Sequence, residues 1–321
     1  MDLKVPRQIA IEITNKCQLK CSGCFQETGY AKQKDMDIEF VKSIIDRNDF
    51  NATIIPYMWG EPLLYPHIFD MMEHVVRKKQ RAYITTNGML WNDDLFELIT
   101  EQNRIYQIIF SLDGVPWSKS IELCRKGTES FTVLHNIERF KKLKEKKGNN
   151  IDLCLKICHR GQDWGEIEDF IFFWLGTGID YICVGRMLNQ SGLELRREPC
   201  QYFNSMYMLI RADREIVPCM YNYDVSINNY FKIGKLEENE NLIEAYNKPV
   251  LLELREDQER GIFSGPCKNC NSAYTGYGFR GQLEFNNQTY KDIGTLYTTQ
   301  DYYNVTFSLK DKATGIQYRN V

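Results

Sequence analysis

Gln8-Ile9-Ala10-Ile11-Glu12-Ile13-Thr14 runs directly into Asn15-Lys16-Cys17-Gln18-Leu19-Lys20-Cys21-Ser22-Gly23-Cys24-Phe25, and this stretch decides the architecture. The first part alternates apolar and polar residues, the period of a strand, and the second is a polar loop carrying three cysteines. An amphipathic helical pattern follows at Ile38–Arg47. The same order recurs down the chain. Further strands are expected at Thr53–Met58, Ala82–Thr86, Gln107–Asp113, Ile151–Cys158 and Tyr181–Gly185, and further helices at Ile68–Lys78, Asp94–Glu101, Phe131–Lys144 and Ile167–Gly176. Such strand–helix repeats imply parallel strands joined by right-handed crossovers, either an α/β barrel or a doubly wound sheet. The distinctive motifs fall in the loops after the strands, where barrels gather their chemistry, which favours the barrel.

Composition narrows the function class. The 321 residues are 43% hydrophobic and 13% aromatic, enough for a sizeable core and unlike a disordered chain. A net charge of −3 without a basic stretch gives no footprint for nucleic acid. No apolar run reaches the length of a membrane span and no secretory signal precedes Gln8, so a cytoplasmic protein is expected. Eleven cysteines, an odd number, argue against a disulfide framework. Seven lie in loop-like contexts in two groups, as ligands would. Cys124, Cys154, Cys158 and Cys183 lie in apolar segments.

Cys17, Cys21 and Cys24 are too close to pair productively as disulfides, and one short of a closed zinc site. Thiolates suit iron–sulfur clusters, and a cubane takes four ligands, so three leave one iron open to another molecule. This Cys-x3-Cys-x2-Cys spacing, with Phe25 directly after it, resembles the signature of the radical S-adenosylmethionine superfamily. Further segments resemble the family in the family's order. Trp59-Gly60-Glu61-Pro62 is similar to its Gly-Gly-Glu segment, with Trp59 in place of the first glycine. Thr86-Asn87-Gly88 resembles the end of its third strand, and Ser111-Leu112-Asp113-Gly114 the end of its fourth. Arg125 matches in position an arginine that pairs with the methionine carboxylate. The resemblance, over roughly residues 8–190, implies a [4Fe–4S] cluster on the three cysteines. It also implies S-adenosylmethionine (SAM) held by Gly60, Glu61, Asn87, Ser111, Asp113 and Arg125, and a 5′-deoxyadenosyl radical as product. A flavodoxin or ferredoxin would supply the electron.

Cys200, Cys219, Cys267 and Cys270 make four thiolates, a full complement for zinc or for a second [4Fe–4S] cluster. Their order, with a hairpin Tyr207–Arg211 and Glu215–Val217 ending at Cys219, resembles the short "twitch" form of the SPASM extension. The usual Asp-Gly turn is changed to Asp213-Arg214. The expected organisation is therefore an α/β, TIM-like partial (β/α)6 barrel over 1–190 and a small α+β auxiliary iron–sulfur domain over 191–275. One helical segment is expected near Leu242–Arg260, and a strand-rich tail over 276–321, for example Tyr303–Leu309.

Alternation in the fifth strand puts Ile151, Leu153, Leu155 and Ile157 on one face and Asp152, Cys154, Lys156 and Cys158 on the other. A barrel's outer face packs on helices, so the mixed set lines the lumen. Lys156 and Asp152 either bind a polar substrate or pair with each other; Arg186 is a further candidate for substrate or SAM. Cys154, Cys158 and Cys183 are either hydrogen donors to a carbon radical or small apolar filling. Two outcomes stay open, dehydrogenation with the second cluster taking an electron and epimerisation with a cysteine returning hydrogen. The strand at residue 8 leaves no room for a leader-binding domain, which favours a small substrate such as a sugar or aminocyclitol over a ribosomally made peptide. A non-catalytic iron–sulfur electron carrier is the reading from another class.

Overall fold

The computed structural model describes residues 3–28, 32–159, 164–174, 176–186, 196–197, 199–204, 206–220, 230–269, 274–275, 283–285, 288–290 and 304–308. Six parallel strands follow one another in space as in sequence: β1 (Gln8–Ile11), β2 (Thr53–Ile55), β3 (Ala82–Thr86), β4 (Ile105–Ser111), β5 (Asp152–His159) and β6 (Tyr181–Arg186). A doubly wound sheet reverses its strand order partway. This one does not, so every right-handed crossover falls on the same face and the sheet curls as a partial barrel. After the short α1 (Phe25–Thr28), the helices between the strands are α2 (Ile38–Asp46), α3 (Ile68–Arg77), α4 (Asp93–Glu101), α5 (Lys119–Cys124), α6 (Ser130–Lys147) and α7 (Trp164–Trp174). Ile9, Ile54, Ile84, Ile108, Phe110, Leu153 and Leu155 are fully buried outward-facing strand residues, in one core with Phe40, Phe96, Phe140 and Phe170 of the helices. Register between strands puts Thr85, Ile109, Cys154 and Tyr181 in one inward row and Ser111, Lys156 and Cys183 in the next, nearer the C-terminal mouth. No described helix is long and apolar enough to cross a membrane.

Two elements from outside the repeats join this sheet. Tyr207–Ile210 pairs parallel with β1 and antiparallel with Ile216–Val217, making the expected hairpin. Asn304–Ser308 pairs antiparallel with β6, so the tail strand lies on the far edge of the same nine-stranded sheet. In the hairpin turn Arg214 takes φ 70°, a conformation that costs a side-chain-bearing residue about 1–2 kcal/mol. Its guanidinium lies 3.9 Å over the Phe40 ring and 3.3 Å from Glu238, contacts a glycine would not make. One expectation needs correction. The helical segment Leu242–Arg260 is two helices, Leu242–Tyr246 and Pro249–Glu259. Pro249 has no N–H to continue the first helix and instead opens the second. Asn247, between them, brackets the N-terminal strand entry, accepting from the Lys4 N–H at 3.0 Å and donating to the Lys4 carbonyl at 2.8 Å.

Candidate active site at the barrel mouth

The loop carrying Cys17, Cys21 and Cys24 leaves the C-terminal end of β1 and is tied down on two sides. Asn15 donates to the Lys32 carbonyl at 3.0 Å, and its own carboxamide oxygen accepts from the Lys34 N–H at 2.6 Å. Across the mouth, the Lys20 N–H donates to the Lys126 carbonyl at 3.0 Å and the Ser22 N–H to the Cys124 carbonyl at 2.9 Å. The three thiols are half-buried. Burial pushes the Cys17 thiol up to about 12, and the nearby Glu61, Cys21 and Cys24 add like-charge repulsion. Three thiolates gathered this way need a cationic centre to neutralise them, as an iron–sulfur cluster provides. Among the described residues no three His, Cys, Asp or Glu side chains close around a single ion.

Glu61 is buried and accepts three hydrogen bonds, from the Leu63 N–H at 3.1 Å, the Thr86 hydroxyl at 2.7 Å and the Asn87 N–H at 2.7 Å. Burial nevertheless raises its carboxyl above the ordinary range, against these donors and the charge of Arg125. Asn87 continues the network, its amide reaching the Cys17 sulfur at 3.8 Å and its carbonyl accepting from Gln18 at 3.3 Å. Gly60 is obligatory for this packing. A Cβ there would stand 2.1 Å from the Thr14 carbonyl oxygen, which is backbone and has nowhere to go.

Asp113 is buried and binds inward, accepting from the Cys158 N–H at 2.8 Å and pairing with Arg125 at 3.7 Å. It fastens the loop after β4 to the end of β5. Arg125 caps α5 (Lys119–Cys124) and is buried between the carboxylates of Asp113 and Glu61. Its Nε has no hydrogen-bond partner among the described residues. An orphaned guanidinium donor in a buried mouth fits a carboxylate ligand. Ser111, Lys156 and Cys183 form the inward row below, with Cys154 one row deeper; Cys158 stands at the rim.

The second cysteine group is reached by other means. Cys200 is buried, its N–H donating to Gln258 at 2.7 Å on helix Pro249–Glu259. Cys267 lies in the middle of the short helical turn Gly265–Asn269, its N–H donating to the Ser264 carbonyl at 3.1 Å. Cys219 follows the hairpin and packs on the core. Cys270 lies outside the described residues, as do the side chain of Arg186 and most of the tail. Trp59 joins the two groups. Its ring meets Phe25 edge-on at 4.7 Å, beside Cys24, and its indole N–H donates to the Met220 carbonyl at 2.5 Å, beside Cys219. In the sequence Trp59 stands only as a substitution of the first glycine of its motif. Glu12, directly after β1, is a buried inward carboxylate that accepts from the Ala212 N–H at 3.0 Å; the only signal for it in the sequence is its place in the alternation that begins at Gln8.

The sequence model of the Radical SAM superfamily matches residues 11–174. The chain is 24% identical over 253 residues to the tungsten-containing aldehyde ferredoxin oxidoreductase cofactor-modifying protein of Pyrococcus furiosus, covering 66% of this chain and 70% of that one. Streptococcus suis SuiB bound to S-adenosylmethionine matches with a TM-score of 0.61 and 17% identity over 84% of this chain and 71% of SuiB. SuiB bound to its precursor peptide SuiA matches at 0.59 and 16%, over 78% and 66%. BtrN in complex with AdoMet and 2-DOIA matches at 0.53 and 18%, over 84% and 94%. At these identities the structural likeness is one of fold, and it reaches past the six barrel repeats.

Proposed function

This chain belongs to the radical S-adenosylmethionine superfamily, and we propose that it removes a hydrogen atom from a carbon of a small polar substrate, such as a sugar or aminocyclitol, with dehydrogenation or epimerisation as the outcome. The observation that carries this reading is Asn87, which touches the Cys17 sulfur with its side chain and Glu61 with its backbone. The thiol group for the cluster and the carboxylate for the amino-acid end of SAM are thus one residue apart. Cys17, Cys21 and Cys24 would hold the [4Fe–4S] cluster. Glu61 and the backbone beside Gly60 would take the ammonium, Arg125 the methionine carboxylate, and Asn87, Ser111 and Asp113 the nucleoside side. The bound pair supplies reductive cleavage of SAM to a 5′-deoxyadenosyl radical. The chain's own part is to orient that radical over the lumen and keep water out, with Lys156 and Asp152 as polar contacts for substrate.

Cys200, Cys219, Cys267 and Cys270 would hold a second [4Fe–4S] cluster, with structural zinc the competing occupant. On this reading the barrel spans residues 1–190, the auxiliary domain 191–275 and the tail 276–321, and a flavodoxin or ferredoxin supplies the electron. The fold likeness to SuiB with its precursor peptide supports a second reading, modification of a ribosomally made peptide. Anaerobic reconstitution with dithionite and SAM tests the main reading: 5′-deoxyadenosine should form, and its absence from cluster-loaded protein defeats it. Replacing Cys267 and Cys270 by Ala should remove about four irons per chain if the second site is a cluster; loss of zinc instead settles the alternative.

A further inference from the structure

The carboxamide of Asn87 is buried and turned in one direction. Its oxygen accepts from the Met89 N–H at 3.0 Å and from the Gln18 carboxamide at 3.3 Å. The two ends of an amide are told apart by their hydrogen bonds. The Met89 donor is main chain and cannot become an acceptor, so the oxygen end must face it. The NH2 end is left facing the Cys17 sulfur at 3.8 Å. The residue cannot drift from this place either, because its own N–H donates to Glu61 at 2.7 Å. Gln18 stands directly after Cys17 and is exposed, so its reach across to Asn87 is a contact of the mouth and not of the core.

The Cys17 sulfur changes role when it binds metal. As a thiol it points to the Gln18 carboxamide oxygen at 3.9 Å. As a metal-bound thiolate it has no proton to give and becomes an acceptor. The Leu19 N–H and the Asn87 amide are donors already aimed at it. The first belongs to the main chain, whereas the second can be removed by substitution.

We propose that Asn87 sets the reduction potential of the cluster on Cys17, Cys21 and Cys24 through an N–H···S hydrogen bond to Cys17, and that Gln18 is a positioning residue that holds the Asn87 carboxamide in this direction. An added electron places more negative charge on the ligating sulfurs, so a donor to sulfur favours the reduced state and raises the potential. The bond eases the one-electron reduction that must precede any cleavage of SAM. It leaves the second amide hydrogen of Asn87 for the nucleoside. The inference rests on the cluster reading above, and its test is made without SAM, which takes the nucleoside out of the comparison.

The reconstituted full chain is poised at fixed potentials with dithionite and mediators. The electron paramagnetic resonance component followed is the one that SAM perturbs in a parallel sample. Asn87→Asp keeps an acceptor for Met89 and Gln18 but has no N–H to give. It should lower the reduced-to-oxidised ratio at least about tenfold, equivalent to 59 mV for one electron. Gln18→Leu adds no charge and should move the ratio the same way by about threefold. In D2O the reduced wild-type cluster should show a coupling to an exchangeable deuteron in electron-nuclear double resonance, and Asn87→Asp should lack it. A wild-type protein that assembles no cluster defeats the cluster reading itself. With the cluster present, an unchanged ratio in Asn87→Asp overturns the hydrogen bond. A changed ratio with the deuteron coupling retained overturns it too, since the new carboxylate charge alone has then acted. An unmoved ratio in Gln18→Leu overturns the positioning role, and that variant decides alone if Asn87→Asp takes up no iron.

Discussion

The barrel mouth and the second cysteine region both depend on thiols, yet they are held in opposite ways. At the mouth, the loop of Cys17, Cys21 and Cys24 is bonded to the ends of neighbouring strands through Asn15, Asn87 and the backbone of Cys124 and Lys126. Around Cys200, Cys219 and Cys267 the supports include the bond from the Cys200 N–H to Gln258, the ladder of the hairpin on β1 and the bond from Trp59 to the Met220 carbonyl, the last of which comes from the mouth itself. The difference is one of dependence between the two regions. Parallel strands supply a ring of loop ends that can brace one another without help, whereas the appended hairpin and helices place their cysteines by leaning on that ring.

The largest effect that would sharpen this comparison is loss of the first group. Cys17→Ala, Cys21→Ala or Cys24→Ala should each lower 5′-deoxyadenosine formation by at least about a thousandfold, because the cofactor carries the chemistry. Substitution of Cys219 should instead be read in the iron content of the second site, with the iron of the first retained. If it empties both sites, the mouth is not self-supporting and the comparison fails.

Next comes Gly60→Ala. The new Cβ meets the Thr14 carbonyl at 2.1 Å, so the loop after β1 or the Trp59–Glu61 segment must move. Overpacking costs typically 1–3 kcal/mol, and a clash with backbone belongs at the upper end, about 3 kcal/mol. Calorimetry of the metal-free protein would show a lowered melting temperature. An unchanged one would mean that the mouth yields as easily as a surface loop.

How much of this was written in the sequence differs between the same two regions. Period-two alternation gave the strands, and Ala82–Thr86 matches residue for residue because polar Arg81 and the Asn87-Gly88 turn bound it sharply. The mouth motifs sit at strand ends, where spacing along the chain translates into proximity in space. The split at Pro249 is also legible, since a proline without an N–H does not continue a helix and is suited to open one. What the sequence could not disclose was partnership across distance. Nothing local in Tyr207–Ile210 says that it pairs with β1, and nothing around Asn304 says that it joins β6. The link from Trp59 to Met220 spans 161 residues of chain.

Glu61 offers a subtler break. Its carboxyl is raised by burial, so the folded state holds the proton more tightly than the unfolded chain does. The stabilisation is then fully present below the ordinary value of 4.5 and is lost as pH rises through the raised value. Metal-free wild-type protein should become less stable to urea across that window, and Glu61→Gln should be flat there. A wild-type slope of the opposite sign would mean that the three donors and Arg125 outweigh burial, leaving the mouth held by a full negative charge.

The smallest predicted effect bears most directly on the link between the regions. Trp59→Phe keeps an aromatic ring against Phe25 but deletes the indole N–H that meets the Met220 carbonyl. One hydrogen bond contributes about 1 kcal/mol, so the melting temperature should fall only slightly. The consequence for position should be larger than for stability, since that N–H fastens the segment after Cys219 to the mouth. In reconstituted protein the electron paramagnetic resonance signal of the first site should be unchanged, while iron retention at the second falls. Restoring a donor with Trp59→His should recover part of that retention. If Phe holds iron as well as Trp does, the hairpin positions Cys219 unaided, and the second region is as self-sufficient as the first.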